Sequence, residues 1–455
     1  MTLQSLRSGQ EIRVEDTTAD KWQKAVAFNP PVREVPARIS RHERLRVALI
    51  TGKLGLGGAE KQLVYMARGL LEAGVDVGIY SLTSGHFYER ELQARGLKPR
   101  WVGRFANPCI RLGILAGELA RYRPHIVQAA QFYTNLYATL AGRLCNAVVI
   151  GSLRTDITFE MQRSRRWGRV LLRMPASIIA NSYTANFNAR QFGIEQKKIH
   201  VVPNVIDIAA FDAYLSQRTE RLATPDQVVA MAVGRLVRVK RFDRFLSGLS
   251  QARKVVAGLK GVIVGNGPER AALERMAGAL GLLPEGVVFL GARNDVPTLL
   301  RQADLLVLCS DYEGLPNVLL EAMTARLPVI TTPAGDAGIV VRNDVTGYVV
   351  PFESIERIAE CLIRLATAPA LRRQLGESGR HRVEQQYSRE SLAVSLLSVY
   401  HAIARQHNNY KALSILDALM MSDVRYDNQS LKQARSRQQP IQANLTTHAT
   451  EKLSR

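Results

Sequence analysis

Two glutamates eight positions apart, Glu313 and Glu321, bracket the stretch Glu-Gly-Leu-Pro-Asn-Val-Leu-Leu-Glu, the part of the chain best placed to do chemistry. A carboxylate is an acceptor with two oxygens and suits the hydroxyls of a sugar. What gives the pair meaning is the frame around it. Asp304 to Ser310 (DLLVLCS) is a continuous apolar run of strand length, as in a buried parallel strand. Pro316 suits the first turn of a helix, where its missing N–H is no loss. Leu319, Leu320 and Met323 give that helix an apolar stripe, Leu327 to Thr332 reads as the next strand, and Pro333-Ala-Gly ends it. Glu313 is thus predicted on a loop at a strand's carboxyl end and Glu321 just inside the following helix. Open α/β sheets bind ligands in that crevice, and the unpaired amides of the helix start suit an anion.

Two cations belong to the same chemistry. Val233-Gly-Arg-Leu-Val-Arg-Val-Lys240 places Arg235 and Lys240 on a loop leaving another predicted strand. From there both can reach the cleft and neutralise a diphosphate and its leaving-group charge. Gly55-Leu-Gly-Gly58 follows the chain's first predicted strand and lets backbone approach a phosphate closely. As a dinucleotide fingerprint it fails twice. The third glycine would be residue 60, which is Glu, and the second strand ends in Tyr80-Ser81 with no acid for a ribose.

The elements that must position these groups come in two series. The first opens with Arg46–Ile50 and runs through strands at Val75–Leu82, Ile126–Ala129, Val148–Leu153 and Ser177–Ala180, with helices between. The pattern restarts at Val228–Val233 and continues through Gly261–Val264 and Val287–Leu290 into the glutamate stretch. The fold class is therefore α/β: two successive Rossmann-like βα domains facing across a cleft, with terminal extensions. The predicted boundaries are an N-terminal extension 1–44, a first domain 45–205, a second domain 206–390, a crossover helix 391–407 that leans back on the first domain, and a polar tail 408–455.

Composition narrows the class. A chain of 455 residues with 46% hydrophobic residues can bury two sizeable cores. Cys109, Cys145, Cys309 and Cys361 are widely spaced, which indicates core residues of a reduced compartment and neither a disulfide framework nor a metal site. Residues 1–30 have no apolar h-region and no run of eighteen apolar residues occurs, so a cytoplasmic location is expected. Of the net charge of +21, residues 45–204 carry +13, with 22 Lys and Arg against 9 Asp and Glu. Within them Arg163, Arg165, Arg166, Trp167, Arg169 and Arg173 interleave with Leu171, Leu172 and Met174 along one predicted basic helix. That half is expected to meet an anionic partner, and a membrane surface carrying a lipid-linked acceptor fits.

Gly-Gly-Ala-Glu60, Gly-Arg-Leu-x3-Lys240, Val-Gly-Asn-Gly-Pro-Glu269, the Glu313/Glu321 pair and Leu-Pro-Val-Ile-Thr-Thr-x-Ala-Gly335 occur in that order. As a set they resemble the retaining GT-B glycosyltransferases of family 4 over roughly residues 45–405. The resemblance implies an acceptor-binding first domain, a second domain holding a UDP- or GDP-sugar as substrate, and no cofactor or metal. Carried over by position, Glu313 would hold the donor hexose and Glu321 the ribose hydroxyls. Arg235 and Lys240 would bind the diphosphate, with the backbone of Gly57 and Gly58 packed against it. Gly314 and the amides of Leu315, Asn317 and Val318 would complete the anion site, which Pro316 cannot join, and the backbone near Leu290–Arg293 would edge the base. One departure stands out. Where members of the family often carry histidines, this chain has Gln128-Ala-Ala-Gln131. Retention is generally thought to need no protein base in this fold, since the departing phosphate can take the acceptor proton.

The expected activity is hexosyl transfer to a glycan or lipid-linked acceptor in cell-surface polysaccharide or glycolipid synthesis. The alternative is a nucleotide-sugar epimerase on the same fold. A nucleic-acid-binding protein is a weaker third reading, because only 6% of residues are aromatic and base stacking has little to work with.

Overall fold

The computed structural model describes residues 44–155, 157–164, 166–215 and 222–422. Nearly all of the expected N-terminal extension, and the chain beyond 422, lie outside the described residues. Along the first half run β1 (Arg46–Thr51), α1 (Gly58–Glu72), β2 (Asp76–Ser81), α2 (Phe87–Ala94), β3 (Arg100–Trp101) and α3 (Pro108–Tyr122). Then come β4 (Ile126–Ala129), α4 (Asn135–Leu144), β5 (Val148–Leu153), α5 (Ile157–Ser164), α6 (Arg166–Arg173), β6 (Ser177–Ala180), α7 (Tyr183–Gln191) and β7 (Ile199–Val201).

The second half begins with α8 (Ile208–Leu215), β8 (Val228–Val233), α9 (Phe242–Arg253), β9 (Leu259–Val264), α10 (Arg270–Ala279), β10 (Val287–Gly291) and α11 (Val296–Leu300). It continues with β11 (Leu305–Leu308), α12 (Asn317–Thr324), β12 (Val329–Thr331), α13 (Ala337–Val340), β13 (Gly347–Val349), α14 (Ile355–Thr367) and α15 (Pro369–Gln386). The last two helices are α16 (Leu392–Gln406) and α17 (Tyr410–Ser422).

Among the described residues the strands form two parallel sheets, ordered β3-β2-β1-β4-β5-β6-β7 and β10-β9-β8-β11-β12-β13. Each order reverses direction once, between β1 and β4 in the first sheet and between β8 and β11 in the second. Such a reversal opens a crevice at the strands' carboxyl ends. The glycine turn follows β1, the Arg235–Lys240 loop follows β8, and the Glu313 loop follows β11, so the candidate groups collect at the two reversals. Helices cover both faces of each sheet, which is why β5 and β11 are buried at every position.

Two chain segments join the halves and run side by side. Ile206 N–H donates to the Tyr387 carbonyl at 2.8 Å, and Arg389 N–H donates to the Ile206 carbonyl at 3.0 Å. Beneath this crossing Asp207 forms ion pairs with Arg68 of α1 at 3.0 Å and with Arg389 at 3.1 Å, and Arg389 also reaches Glu72 at 2.7 Å. After the crossing α16 returns to the first sheet. Leu392, Leu396, Leu397, Tyr400 and Ile403 join the core that also contains Leu63, Val64 and Leu70 of α1.

Three expectations need correction. Pro316 stands one residue before α12, as its N-cap, because its φ of −71° and ψ of 120° are extended and the helix starts at Asn317. The single basic helix is two short ones, α5 and α6. The polar tail predicted from residue 408 is a helix over its first part. Ala412, Leu416 and Leu419 recur at helical spacing and enter the first core against α16.

This docking sets a stability test. Leu416 is fully buried, and replacing a buried leucine by alanine costs roughly 2–5 kcal/mol. Leu416→Ala is expected to lower the urea midpoint with an unchanged slope. Wild-type stability in the variant would mean that α17 is not part of the folded unit.

Candidate active site

In the second sheet, β8 ends at Val233 and the chain turns through Gly234–Val239 into a short 3-10 turn, Arg238–Lys240. Asp311 N–H donates to the Val239 carbonyl at 2.9 Å and ties this loop to the one after β11. The tie brings Lys240 Nζ to Glu313 Oε1 at 2.5 Å, and Ser310 Oγ donates to the same oxygen at 2.7 Å. Both side chains are mostly covered. Arg235 lies exposed five residues earlier, and among the described residues its side chain makes no hydrogen bond or ion pair. The structure therefore joins Lys240 to Glu313 directly and leaves Arg235 apart.

Gly314 and Gly335 explain how the Glu313 loop packs so closely. A Cβ on Gly335, which has φ +57°, would collide with the carbonyls of Glu313 and Gly314. Asp336 N–H then donates to the Gly314 carbonyl at 2.8 Å. The Asp336 carboxylate crosses to the first half and accepts from the amides of Tyr183 and Thr184, at the start of α7, at 2.8 and 2.9 Å. Leu315 is buried, whereas Asn317 and Val318 at the start of α12 are partly accessible.

The first half approaches α12 through α1. Asn317 Nδ2 donates to the Gly58 carbonyl at 2.9 Å, and Gln62 Nε2 donates to Asn317 Oδ1 at 3.1 Å. A Cβ on Gly58 would stand 2.5 Å from Asn317 Nδ2, so a larger residue there would displace that amide. One turn along both helices, Lys61 Nζ meets Glu321 Oε1 at 2.7 Å. Burial alone would push the Lys61 ammonium down, but Glu321 more than offsets it and holds the group well above its ordinary value. Asn204, on the segment leaving β7, donates to the Leu315 carbonyl at 2.7 Å and to Asn317 Oδ1 at 2.9 Å.

Gln128 and Gln131 both have structural partners. Gln131 Oε1 accepts from Gly52 N–H at 3.0 Å and so braces the glycine turn. Gln128 is buried in β4, where the Tyr400 hydroxyl donates to its Oε1 and fastens α16 to the sheet. Glu60, in the place of a third fingerprint glycine, is buried with its carboxylate folded against Gly57. Burial pushes its pKa up, and nearby Lys53 and Arg154 oppose that shift.

Sequence reading did not single out Lys61, Gln62, Asn204, Asn181, Arg154 or Asp336. Lys61 follows directly on Gly-Gly-Ala-Glu60, but its partner lies 260 positions away and no spacing rule connects them. On the basic face, Trp167 and Val170 of α6 are exposed alongside Arg169 and Arg173, while Leu172 turns into the core. The side chains of Arg163, Arg165 and Arg166 lie outside the described residues. Leu140 and Leu144 of the neighbouring α4 are exposed too, and Arg143 of that helix donates to the Met174 carbonyl at 2.8 Å.

Two parallel sheets meeting at their carboxyl edges, with the return helix packed on the first, is the GT-B architecture. Anabaena HepE, solved in complex with UDP and glucose, superposes with a TM-score of 0.70 at 18% identity, covering 78% of this chain and 99% of that one. Family models agree in sequence: Glycosyltransferase Family 4 matches residues 56–210, and Glycosyl transferases group 1 matches 216–382. The chain belongs to the group 1, family 4 glycosyltransferases. Among curated relatives, the alpha-D-kanosaminyltransferase of Streptomyces kanamyceticus is 28% identical over 42% of this chain and 50% of its own length. The GDP-mannose-dependent alpha-(1-6)-phosphatidylinositol monomannoside mannosyltransferase of Mycobacterium tuberculosis is 30% identical over 48% of this chain and 59% of its own length. The chain thus spans about half the length of the curated relatives it matches.

Asp336 provides a pH test of the contact between the halves. Burial pushes its carboxyl up to about 6, against the two amides that favour the anion. The folded state therefore binds this proton more tightly than the unfolded chain does. The group's contribution to stability is largest below about pH 4 and is lost as pH rises through 6, by up to about 3 kcal/mol. Urea titrations at several pH values are expected to show wild type losing stability relative to Asp336→Asn across that window. A pH-independent difference would place the Asp336 proton affinity near its unfolded value.

Proposed function

We propose that this protein is a retaining glycosyltransferase that moves a hexose-type sugar from a UDP- or GDP-sugar to a glycan or lipid-linked acceptor. The setting would be cell-surface polysaccharide or glycolipid synthesis. The observation that carries the reading is the pairing of Lys240 with Glu313 at the reversal of the second sheet, opposite the glycine turn of the first. Family membership supplies the reaction class. The UDP and glucose bound by HepE and the GDP-mannose dependence of the mycobacterial relative supply the donor class.

In this reading Glu313 accepts from hydroxyls of the donor hexose and Glu321 from those of the ribose. Gly57, Gly58 and Gly314, with the amides of Leu315, Asn317 and Val318, line the diphosphate. As the bond from sugar C1 to the phosphate oxygen breaks, its electron pair passes to the phosphate. Arg235 and Lys240 stabilise that growing charge. The acceptor oxygen bonds to C1 on the face being vacated and gives its proton to the departing phosphate, so no protein base is required. Gln128 and Gln131 agree with this, because their side chains hold structure.

One test of this reading is kinetic. Arg235→Ala and Lys240→Ala should each lower turnover by more than they weaken donor binding, because the charge they meet is largest in the transition state. Assays with UDP-glucose and GDP-mannose, with donor affinity measured separately by calorimetry, would show it. Undiminished turnover in the double variant would remove the diphosphate role. Incubating donor without acceptor tests the alternative: conversion of the donor to an isomeric nucleotide sugar would make the protein an epimerase of this fold.

The acceptor side is read from charge and surface. Exposed Trp167, Val170, Leu140 and Leu144 stand among Arg143, Arg169 and Arg173 on adjoining helices of the half that carries +13. Among the described residues no helix is long and apolar enough to cross a membrane. Attachment would be peripheral, on the anionic inner face of the plasma membrane, with each cation near the surface contributing roughly 1 kcal/mol within a Debye length of about 8 Å. Sedimentation with anionic but not neutral liposomes is expected. Exchanging Arg163, Arg165, Arg166 and Arg169 for Gln should release the protein while nucleotide binding persists. Retention by the quadruple variant in high salt would move the contact elsewhere.

A further inference from the structure

Lys61 belongs to neither group assigned above. It projects from the first half, yet its ammonium is spent on a carboxylate of the second. The helix that carries it is fixed on both sides of it. Gly58 accepts from Asn317 one turn before, and Gln62 donates to Asn317 Oδ1 at 3.1 Å and to the Val205 carbonyl at 2.7 Å, while Val205 N–H donates back to Gln62 Oε1 at 3.0 Å. On α12, Asn317 and Glu321 are four residues apart and share a face. The two helices are thus joined by two polar rungs, and Lys61–Glu321 is the second. Its side chains are 24% and 13% exposed, so neither is a solvated surface charge.

The carboxylate keeps capacity after this contact. Ionised, it offers about four acceptor positions, and the ammonium takes one of them, on Oε1. A cis-diol needs one position on each oxygen. Held at one oxygen, the Glu321 side chain is confined to a single orientation, and little of the ordering cost remains for the diol to meet on binding.

We infer that Lys61 is a positioning residue for ribose recognition: reaching across from the first half, it orients Glu321 to accept the two hydroxyls of a ribonucleotide. The inference rests on the ribose reading of Glu321. It makes discrimination between ribose and deoxyribose depend on the cleft being closed, because the orienting cation and the accepting carboxylate come from different halves. Arg235 and Lys240 hold phosphate charge in that reading and cannot supply this selectivity, since ribo- and deoxyribonucleotides carry the same diphosphate.

The test is calorimetry with UDP and 2′-deoxy-UDP, and with GDP and its 2′-deoxy form, on wild type, Lys61→Met, Lys61→Arg and Glu321→Gln. Wild type is expected to prefer the ribonucleotide about tenfold, the effect of one hydrogen bond to a charged group. Lys61→Met should lose most of that preference, weakening the ribonucleotide more than the deoxynucleotide, which keeps one of the two hydroxyls, while an unchanged circular dichroism spectrum shows the fold intact. Lys61→Arg should keep it. Full preference in Lys61→Met overturns the inference. So does tighter ribonucleotide binding, which would make Lys61 a competitor for the carboxylate, and so does equal loss of both nucleotides. If Glu321→Gln retains wild-type preference, the ribose reading itself fails, and that result is independent of the Lys61 variants.

Discussion

A buried amide is among the groups that hold the two halves in register. Asn204 donates to the Leu315 carbonyl and to Asn317 Oδ1, and accepts from Arg154 at 3.2 Å and Asn181 at 3.4 Å. It thus uses both ends of its side chain, and at 5% exposure water cannot replace a lost partner. The groups it contacts are the start of α12 and the carboxyl ends of β5 and β6. If Asn204 moved, the unpaired amides of α12 would no longer face the glycine turn, and Glu321 would no longer face α1. Asp207, three residues on, repeats the device with charge. A carboxylate with two guanidinium partners beneath the crossing is costly to break, because removing one partner of a buried pair costs roughly 3–5 kcal/mol. The joint between the halves therefore permits few relative positions.

That restriction decides what the candidate groups can do. Each of the two key carboxylates has a lysine partner: Glu313 with Lys240 and Glu321 with Lys61. The pairs differ in origin. Lys240 and Glu313 lie on neighbouring loops of one sheet, so their contact survives any rigid movement of the halves. Lys61 and Glu321 lie on opposite halves, so theirs depends on how the two halves are set.

Much of the fold was legible because its strands are buried on both faces and appear as unbroken apolar runs. Ile126–Ala129, Val148–Leu153, Ser177–Ala180 and Val228–Val233 fall where the sequence places them. Helix ends were less legible. Pro316 has the geometry of a cap, a distinction that depends on ψ and not on residue type. The α17 helix was hidden by its polar neighbours, although Ala412, Leu416 and Leu419 have the right period. At the site, Lys240 and Glu313 were nameable one by one because each follows a strand at a sheet reversal, although their contact was not. Partners across the cleft were not. Nothing in residues 58–62 announces Asn317 or Glu321, since what brings them together is the angle between two domains.

Gln128 in β4 and Gln131 just after it show how such a fold can do without histidines at these two positions. Gln131 holds the glycine turn through Gly52, and Gln128 holds the returning helix through Tyr400. A neutral amide does both tasks at every pH, whereas an imidazole buried there would carry a titrating charge. With these positions committed to structure, the proposed transfer draws its charge stabilisation from the second half, from Lys240 beside Glu313, the start of α12, and Arg235 on the same loop as Lys240. In the proposed function the first half contributes geometry: a backbone turn beside the diphosphate, Lys61 set against Glu321, and a basic face toward the acceptor.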